Sequence, residues 1–420
     1  MRPIWILIAG LLSITAAPEP TVEMVVPQGE AQKYWPQWRG PSGQGTVKGT
    51  GYVDTWSDTQ NVLWKVQVPG SGNSSPIVWG DHLFLVTSYD NGARKSIVAF
   101  SRRDGKQLWE AFAPQAEAEY SNPKNGHASG TPTTDGTRVY AYMGNHGLFA
   151  VDFKGKQVWH RSLGTLQAYH GPAGSPLLYK DRLILYQDQK GGGGSFVAAF
   201  DATTGDELWR TARQAQVGWG TPIAITAGAR DELIVSGMRR VHAYDPGTGA
   251  ELWSAAGNLF EVIPTPVVGE GLVFCTSGRA GPTLAIRPGG SGDVTATHIA
   301  WKAEKGSPFV PSPLLHQGIL YMVNDMVSVA TAYDAKTGVV LWQGRLGEAA
   351  RESFSSSPVV VDDKVYFTND QGDTFVVATG REFKLLHVNK LNARTLASPA
   401  LVDGKWYWRT DSQLLAIGRK

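Results

Sequence analysis

Two histidines, several arginines and a set of amides and acids carry the reactive chemistry of this chain. His127 and His170 sit in similar settings, Gly126-His127-Ala128 and His170-Gly171-Pro172. With Asp188 they could form a metal site or an acid/base pair, since neutral imidazole and carboxylate serve both purposes. No short i,i+4 histidine motif accompanies them. Arg239 and Arg279 could clamp carboxylates or sulfates. Trp219, in Gly218-Trp219-Gly220, offers a flat wall for stacking, and packing explains it equally. Asn125, Tyr169, Gln189, Asn324, Asp325, Arg351 and Arg394 complete a mixed rim suited to a polar or anionic small molecule, a sugar or a protein partner. The plainer alternative is a solvated rim whose polar groups satisfy loop backbones.

A repeat must position these groups. Ser75-Pro76, Thr131-Pro132, Ser175-Pro176, Thr221-Pro222, Thr265-Pro266, Ser312-Pro313, Ser357-Pro358 and Ser398-Pro399 recur about every 46 residues, the length of a four-stranded propeller blade. Proline lacks an N–H, so it suits the start of an innermost strand, which is an edge. Each unit continues with a short apolar strand, a tight polar turn and a second strand. A third strand carries a small residue: Ala99, Ala150, Ala199, Ala243, Ala285, Ala332 and Ala416, with Val377 as the exception. A turn such as Asp201-Ala202-Thr203-Thr204-Gly205 then leads to a fourth strand holding Trp109, Trp159, Trp209, Trp253, Trp301 or Trp342, with Leu386 once in that place. The expected fold is all-β, an eight-bladed propeller over residues 61–420.

The last unit stops after its third strand, and Val62-Leu63-Trp64-Lys65-Val66 has the form of the missing fourth. The N-terminal strand should therefore complete the last blade and leave no open edge in the ring. All the candidate residues then fall in loops on one face, those joining blades and those joining second to third strands. The opposite face holds short Gly/Asp hairpins. Residues 18–60 read as a strap packed on the ring, through Trp35-Pro36-Gln37-Trp38-Arg39-Gly40-Pro41.

Composition agrees with an all-β chain: 420 residues with 49 Gly, 24 Pro and 15 Trp, but only 18% charged. A net charge of +2 gives no basic field for nucleic acid. Arg2, the apolar run Ile4 to Ile14 and Thr15-Ala16-Ala17 read as a signal peptide over residues 1–17, with an uncleaved anchor as the alternative. This places the mature chain in the periplasm or outside the cell, without a transmembrane span. Cys275 is the single cysteine, so no intramolecular disulfide forms, and its apolar setting predicts a buried strand position.

Taken together, the Ser/Thr-Pro starts, Ala-x-Asp-x-x-Thr-Gly and the terminal Leu-Trp resemble the PQQ-repeat (quinoprotein alcohol dehydrogenase-like) propeller superfamily, over about residues 61–420. The strap looks like that of exported bacterial members. The resemblance implies one of two functions. One is a PQQ-dependent dehydrogenase of alcohols or sugars, with calcium beside the quinone and an indole such as Trp219 as its floor. The other is a scaffold without a cofactor, like the barrel-assembly lipoprotein of the outer membrane. The dehydrogenases' pair of adjacent cysteines and the lipoprotein's N-terminal cysteine have no counterpart here. The expectation is a monomeric binding or protein-interaction scaffold, with its ligand at the channel mouth. The alternatives are a PQQ-dependent oxidoreductase and a carbohydrate-active enzyme using His127 and His170.

Overall fold

The computed structural model describes residues 21–47, 49–348 and 353–420; the signal region and Arg351 lie outside them. Eight sheets, each with an antiparallel core of four strands, form the blades. In the first blade these are Ile77–Trp79, His82–Tyr89, Arg94–Ser101 and Gln107–Phe112, counted outward from the channel. The alternation of the third and second strands buries both faces against neighbouring blades, so they read as apolar runs. The ring closes as the repeat requires. Val62–Gln67 is the outermost strand of the eighth blade, with Trp64 opposite Ala416.

The Ser/Thr-Pro motif has a function beyond starting a strand. Each hydroxyl accepts the backbone N–H of the equivalent residue one blade earlier, from Ser75 N–H to Thr131 through to Ser398 N–H back to Ser75. These eight bonds, 2.9–3.2 Å long, make a closed belt round the channel mouth. Each buried N–H thereby finds a partner where no strand supplies one.

The tryptophans join blades from outside. The indoles of Trp64, Trp109, Trp159, Trp209, Trp301 and Trp342 each donate to a carbonyl of the next blade. Most of these rings lie on a turn glycine. A Cβ at Gly205, for example, would stand 2.6 Å from Trp159, and its φ of +74° already favours glycine. Trp253 differs because residues 287–298 replace the next blade's turn, and its indole bonds Glu232 Oε2 at 2.8 Å instead. The seventh blade corrects the sequence alignment by one residue. Val376, not Val377, takes the place of the small residue, and His387, not Leu386, takes that of tryptophan. The bulge common to these outer strands pushes Leu386 out of register. His387 keeps the cross-link, its Nε2 meeting Asp54 O at 2.7 Å.

The strap crosses the hairpin side of the channel. Val22–Met24 pairs with Ile225–Ala227 of the fourth blade, and Trp35 bridges Val78 of the first. Pro36 O accepts from Thr134 of the second blade, and Gln44 Oε1 from Val268 of the fifth. Thr46–Val47 adds in parallel to Val360–Val361 of the seventh. A segment tied to five blades closes the channel from below. Trp38 points inward from it, its indole 3.3 Å from the belt hydroxyl of Thr265. Cys275 is fully buried in a second strand, and burial pushes its thiol up to about 12.

Candidate functional site

Closed below and open above, the channel becomes a cup on the loop face, with a volume of about 320 Å³. Seven of the eight belt residues, all but Ser398, line it, Trp38 reaches it from the strap, and Trp219, Phe309, Ile263 and Leu396 give it apolar walls. Lys124 is its only lining side chain of fixed charge among the described residues, and Asp370 pairs with that ammonium at 3.0 Å. Among the described residues, no aspartate or glutamate lines it.

Three of the sequence candidates reach the cup: Asn125, His170 and Trp219. Each is also tied to backbone or a neighbouring side chain. Asn125 Nδ2 donates to His170 O and Pro172 O at 2.7 and 3.0 Å, stapling two loops. The Trp219 indole donates to Gly171 O at 3.0 Å, and its ring lies 5.1 Å from that of His170. His170 Nε2 stands 3.3 Å from Glu261 Oε1, and Glu261 in turn receives Arg279. Arg279 also lies over the Phe309 ring, at 5.4 Å. The Glu261 carboxyl is held below its usual range, because these two basic groups outweigh its desolvation.

The other candidates are dispersed. His127 Nδ1 stands 3.4 Å from Glu119, which is buried and already bound to the buried Lys95. Asp188 is buried against Arg213 at 2.9 Å. His127, His170 and Asp188 therefore have separate partners, and no group of three His, Cys, Asp or Glu side chains among the described residues is arranged for a metal ion. Gln189 links Gln167 N and Thr165 O. Asn324 caps its own loop at Met326 N, and Arg394 pairs with Asp411 on the surface. Arg239 holds its loop through its backbone, with φ of +69°. Tyr169 is exposed, with Lys190 over its ring at 5.0 Å. Asp325 Oδ1 accepts Phe309 N–H at 2.7 Å from behind the cup wall, and burial raises its carboxyl above the usual range.

Sequence reasoning missed Trp38 as a cup residue and missed Lys95, Glu119, Glu261 and Arg213 as the partners that hold the candidates. The doubled tryptophan of the strap was a signal for the first. Nothing in the repeat announces the ion pairs, whose members lie 8 to 91 residues apart.

The buried network at the third and fourth blades has a pH signature. Burial, then Arg213 and Arg240, pushes His242 down to about 3, against the pull of Glu251 Oε1 3.4 Å from its Nδ1. The unfolded chain binds this proton near pH 6.5 and the folded chain does not, so stability is full above about pH 6.5 and falls as pH drops toward 3. The slope is about 1.4 kcal/mol per pH unit, or about 2 kcal/mol by pH 5. In denaturant melts at pH 7 and pH 5, His242→Gln should lose that much less than wild type. Equal losses would show that His242 titrates normally.

The comparisons with known proteins agree with this geometry. The family model described as outer membrane protein assembly factor BamB matches residues 44–123 and 193–419. The chain is 28% identical over 317 residues to outer membrane protein assembly factor BamB of Burkholderia pseudomallei, covering 71% of this chain and 73% of that one. It is 24% identical over 352 residues to tetrathionate hydrolase of Acidithiobacillus ferrooxidans, covering 74% of this chain and 66% of the hydrolase, just under two thirds of its length. The fold is shared with the quinohemoprotein alcohol dehydrogenase of Comamonas testosteroni, with TM-score 0.64, 12% identity and coverage of 93% and 81%. A family match over most of the chain and a ring of eight four-stranded blades lead to one conclusion: this protein belongs to the BamB-like family of PQQ-repeat propellers.

Proposed function

We propose that this protein is an exported binding propeller that captures a partner protein through the cup, the partner seating an apolar or aromatic side chain over Trp38. One observation carries the reading: the cup is preformed and aromatic, while the imidazoles and most acids of its face are committed to structural bonds. An apolar concavity with a polar hydroxyl rim is the form of a side-chain pocket at an interface. The relative named as an assembly factor supports a protein partner, and the signal-like N-terminus supports the periplasm or the exterior. No helix among the described residues is long and apolar enough to cross a membrane. An anionic small molecule is less well served, since Lys124 already has Asp370.

A calcium-held quinone does not fit the cup. Calcium takes several oxygen ligands, carboxylates foremost, and among the described residues no carboxylate lines it.

The binding reading is checked by filling the cup. Ala173 lines it and is small. Ala173→Trp should weaken binding of extended peptides bearing one Phe or Trp by about 30-fold or more, the loss of one anchor residue. Calorimetry on wild type and variant measures this. Equal affinities, or no preference for aromatic over alanine peptides, would sink the idea.

A hydrolytic reading has one observation in its favour, the Asp325 carboxyl kept toward its protonated form beside a cup residue. Such a group can act as a general acid once a substrate comes within its reach, which here requires the Phe309 loop in front of it to move. One relative is by name a tetrathionate hydrolase, so tetrathionate is the substrate to offer. Turnover by wild type that Asp325→Asn abolishes would favour this reading; a stable tetrathionate concentration would remove it.

A further inference from the structure

The strap carries a charge that the rest of the described chain does not balance. Arg39 is only 3% exposed and stands beside Trp38, where the strap crosses the channel. Its Nη2 donates to Gln44 O at 2.8 Å and lies 3.4 Å from Pro358 O. Its Nε and Nη1 are buried and have no protein partner.

The two other buried arginines each have an acidic group near them. Arg213 has the Asp188 carboxylate and the Tyr244 hydroxyl. Arg409 gives one nitrogen to two carbonyls, Ser74 O and Val86 O; its Nε and Nη2 also lack a protein partner and burial lowers it to about 9, but it feels the charge of Asp411. At Arg39 no acidic group among the described residues offsets burial, which lowers the guanidinium to about 9 and still leaves it charged at neutral pH.

The surroundings are shaped around the cation. A Cβ on Gly45 would stand 2.9 Å from Pro358 O and 3.1 Å from Arg39 Nη2, and its φ of +74° favours glycine, so only glycine lets the strap turn this closely. Two residues before the carbonyl that Arg39 approaches, Ser356 has a buried hydroxyl that also lacks a protein partner. Water could fill hydrogen bonds here, but a buried charge is stabilised by a counter-charge.

We propose that Arg39 holds a small monovalent anion of halide size inside the propeller, bound through its free Nε–H and Nη1–H groups where the strap crosses the channel. The inference is independent of the cup. Failure of the cup to bind peptides would leave it untouched, and the reverse also holds.

Two measurements test it. Crystals of the wild-type protein grown in sodium bromide should show an anomalous bromine peak within hydrogen-bonding distance of Arg39 Nε or Nη1. Melting of the wild-type protein should also rise in chloride over gluconate at equal ionic strength. The shift should be roughly 3 °C once chloride is a hundredfold above its dissociation constant. Arg39→Met, which keeps the length and removes the charge, should lose that difference. A peak there without anomalous signal, or an anion response that Arg39→Met retains, would overturn the proposal. The bromide result stands on wild type alone, so a variant that fails to fold does not blunt the test.

Discussion

Replacing Trp406 by alanine is expected to cost about 3–5 kcal/mol, the range for deleting a fully buried large aromatic side chain. Trp406 is wholly buried on the second strand of the eighth blade. Its ring centroid lies 4.9 Å from that of Trp56 and 4.7 Å from that of Tyr366, with Trp408 stacked at 6.1 Å. Its indole donates to Val53 O at 3.0 Å. The side chain thus joins three parts at once: the closing blade, the seventh blade and the end of the strap. Deleting it leaves a cavity that stiff neighbouring rings fill poorly, and strands Val53 O as well. The denaturant midpoint should fall accordingly, with melting lower by roughly 5 °C. Proteolysis of the strap near residues 50–58 should quicken, because Trp56 loses its main support. Leu385→Ala, at a position 40% exposed, is the control and should change stability by less than about 0.5 kcal/mol. A loss below 1 kcal/mol for Trp406→Ala would show that the strap is held by its strand pairings alone.

What was legible in the sequence follows from range. The turn glycines, the proline starts and the tryptophan strands are local devices repeated at a fixed period, so repetition exposes them. Ring closure was legible for the same reason: the last unit lacked a strand whose Leu-Trp form stood at residues 63–64. The belt was half legible. The hydroxyl types recur visibly, but their partners are N–H groups one blade away, and no spacing within a unit points to them. His387 was hidden by a bulge, since counting residues places Leu386 where only the backbone register places histidine. The site was least legible. Asn125, His170 and Trp219 were found because a face assignment suffices to put them near the channel. Trp38 was not, because it enters from below, outside the repeat. Nor could the sequence separate a free rim group from a committed one. His127 looks the same in a list whether or not Glu119 holds it.

Asp188 shows what that distinction is worth. As a sequence candidate it was a carboxylate for a metal or an acid/base pair. In the structure its Oδ1 accepts Arg213 Nε at 2.9 Å, and both side chains are buried. Arg213 also donates to the Tyr244 hydroxyl at 2.7 Å and lies over the Tyr186 ring at 5.3 Å, which ties the third blade to the fourth. Asp188→Ala should therefore destabilise the protein by about 3–5 kcal/mol, because it leaves a guanidinium charge buried without its counter-charge. Arg213→Met alone should be comparably harmful by stranding the carboxylate, unless that carboxylate takes up a proton. The double variant Asp188→Leu with Arg213→Met should recover most of the loss, since a buried pair replaced by apolar groups of similar volume is often near neutral. Urea titrations of the four proteins close this cycle, and a large coupling energy is the expected result. Additive losses would mean that the two groups do not depend on each other. A stable Asp188→Ala that lost ligand binding would return Asp188 to the functional site. The cycle thus decides between a carboxylate that holds blades together and one that does chemistry, which neither residue type nor position in a loop can decide.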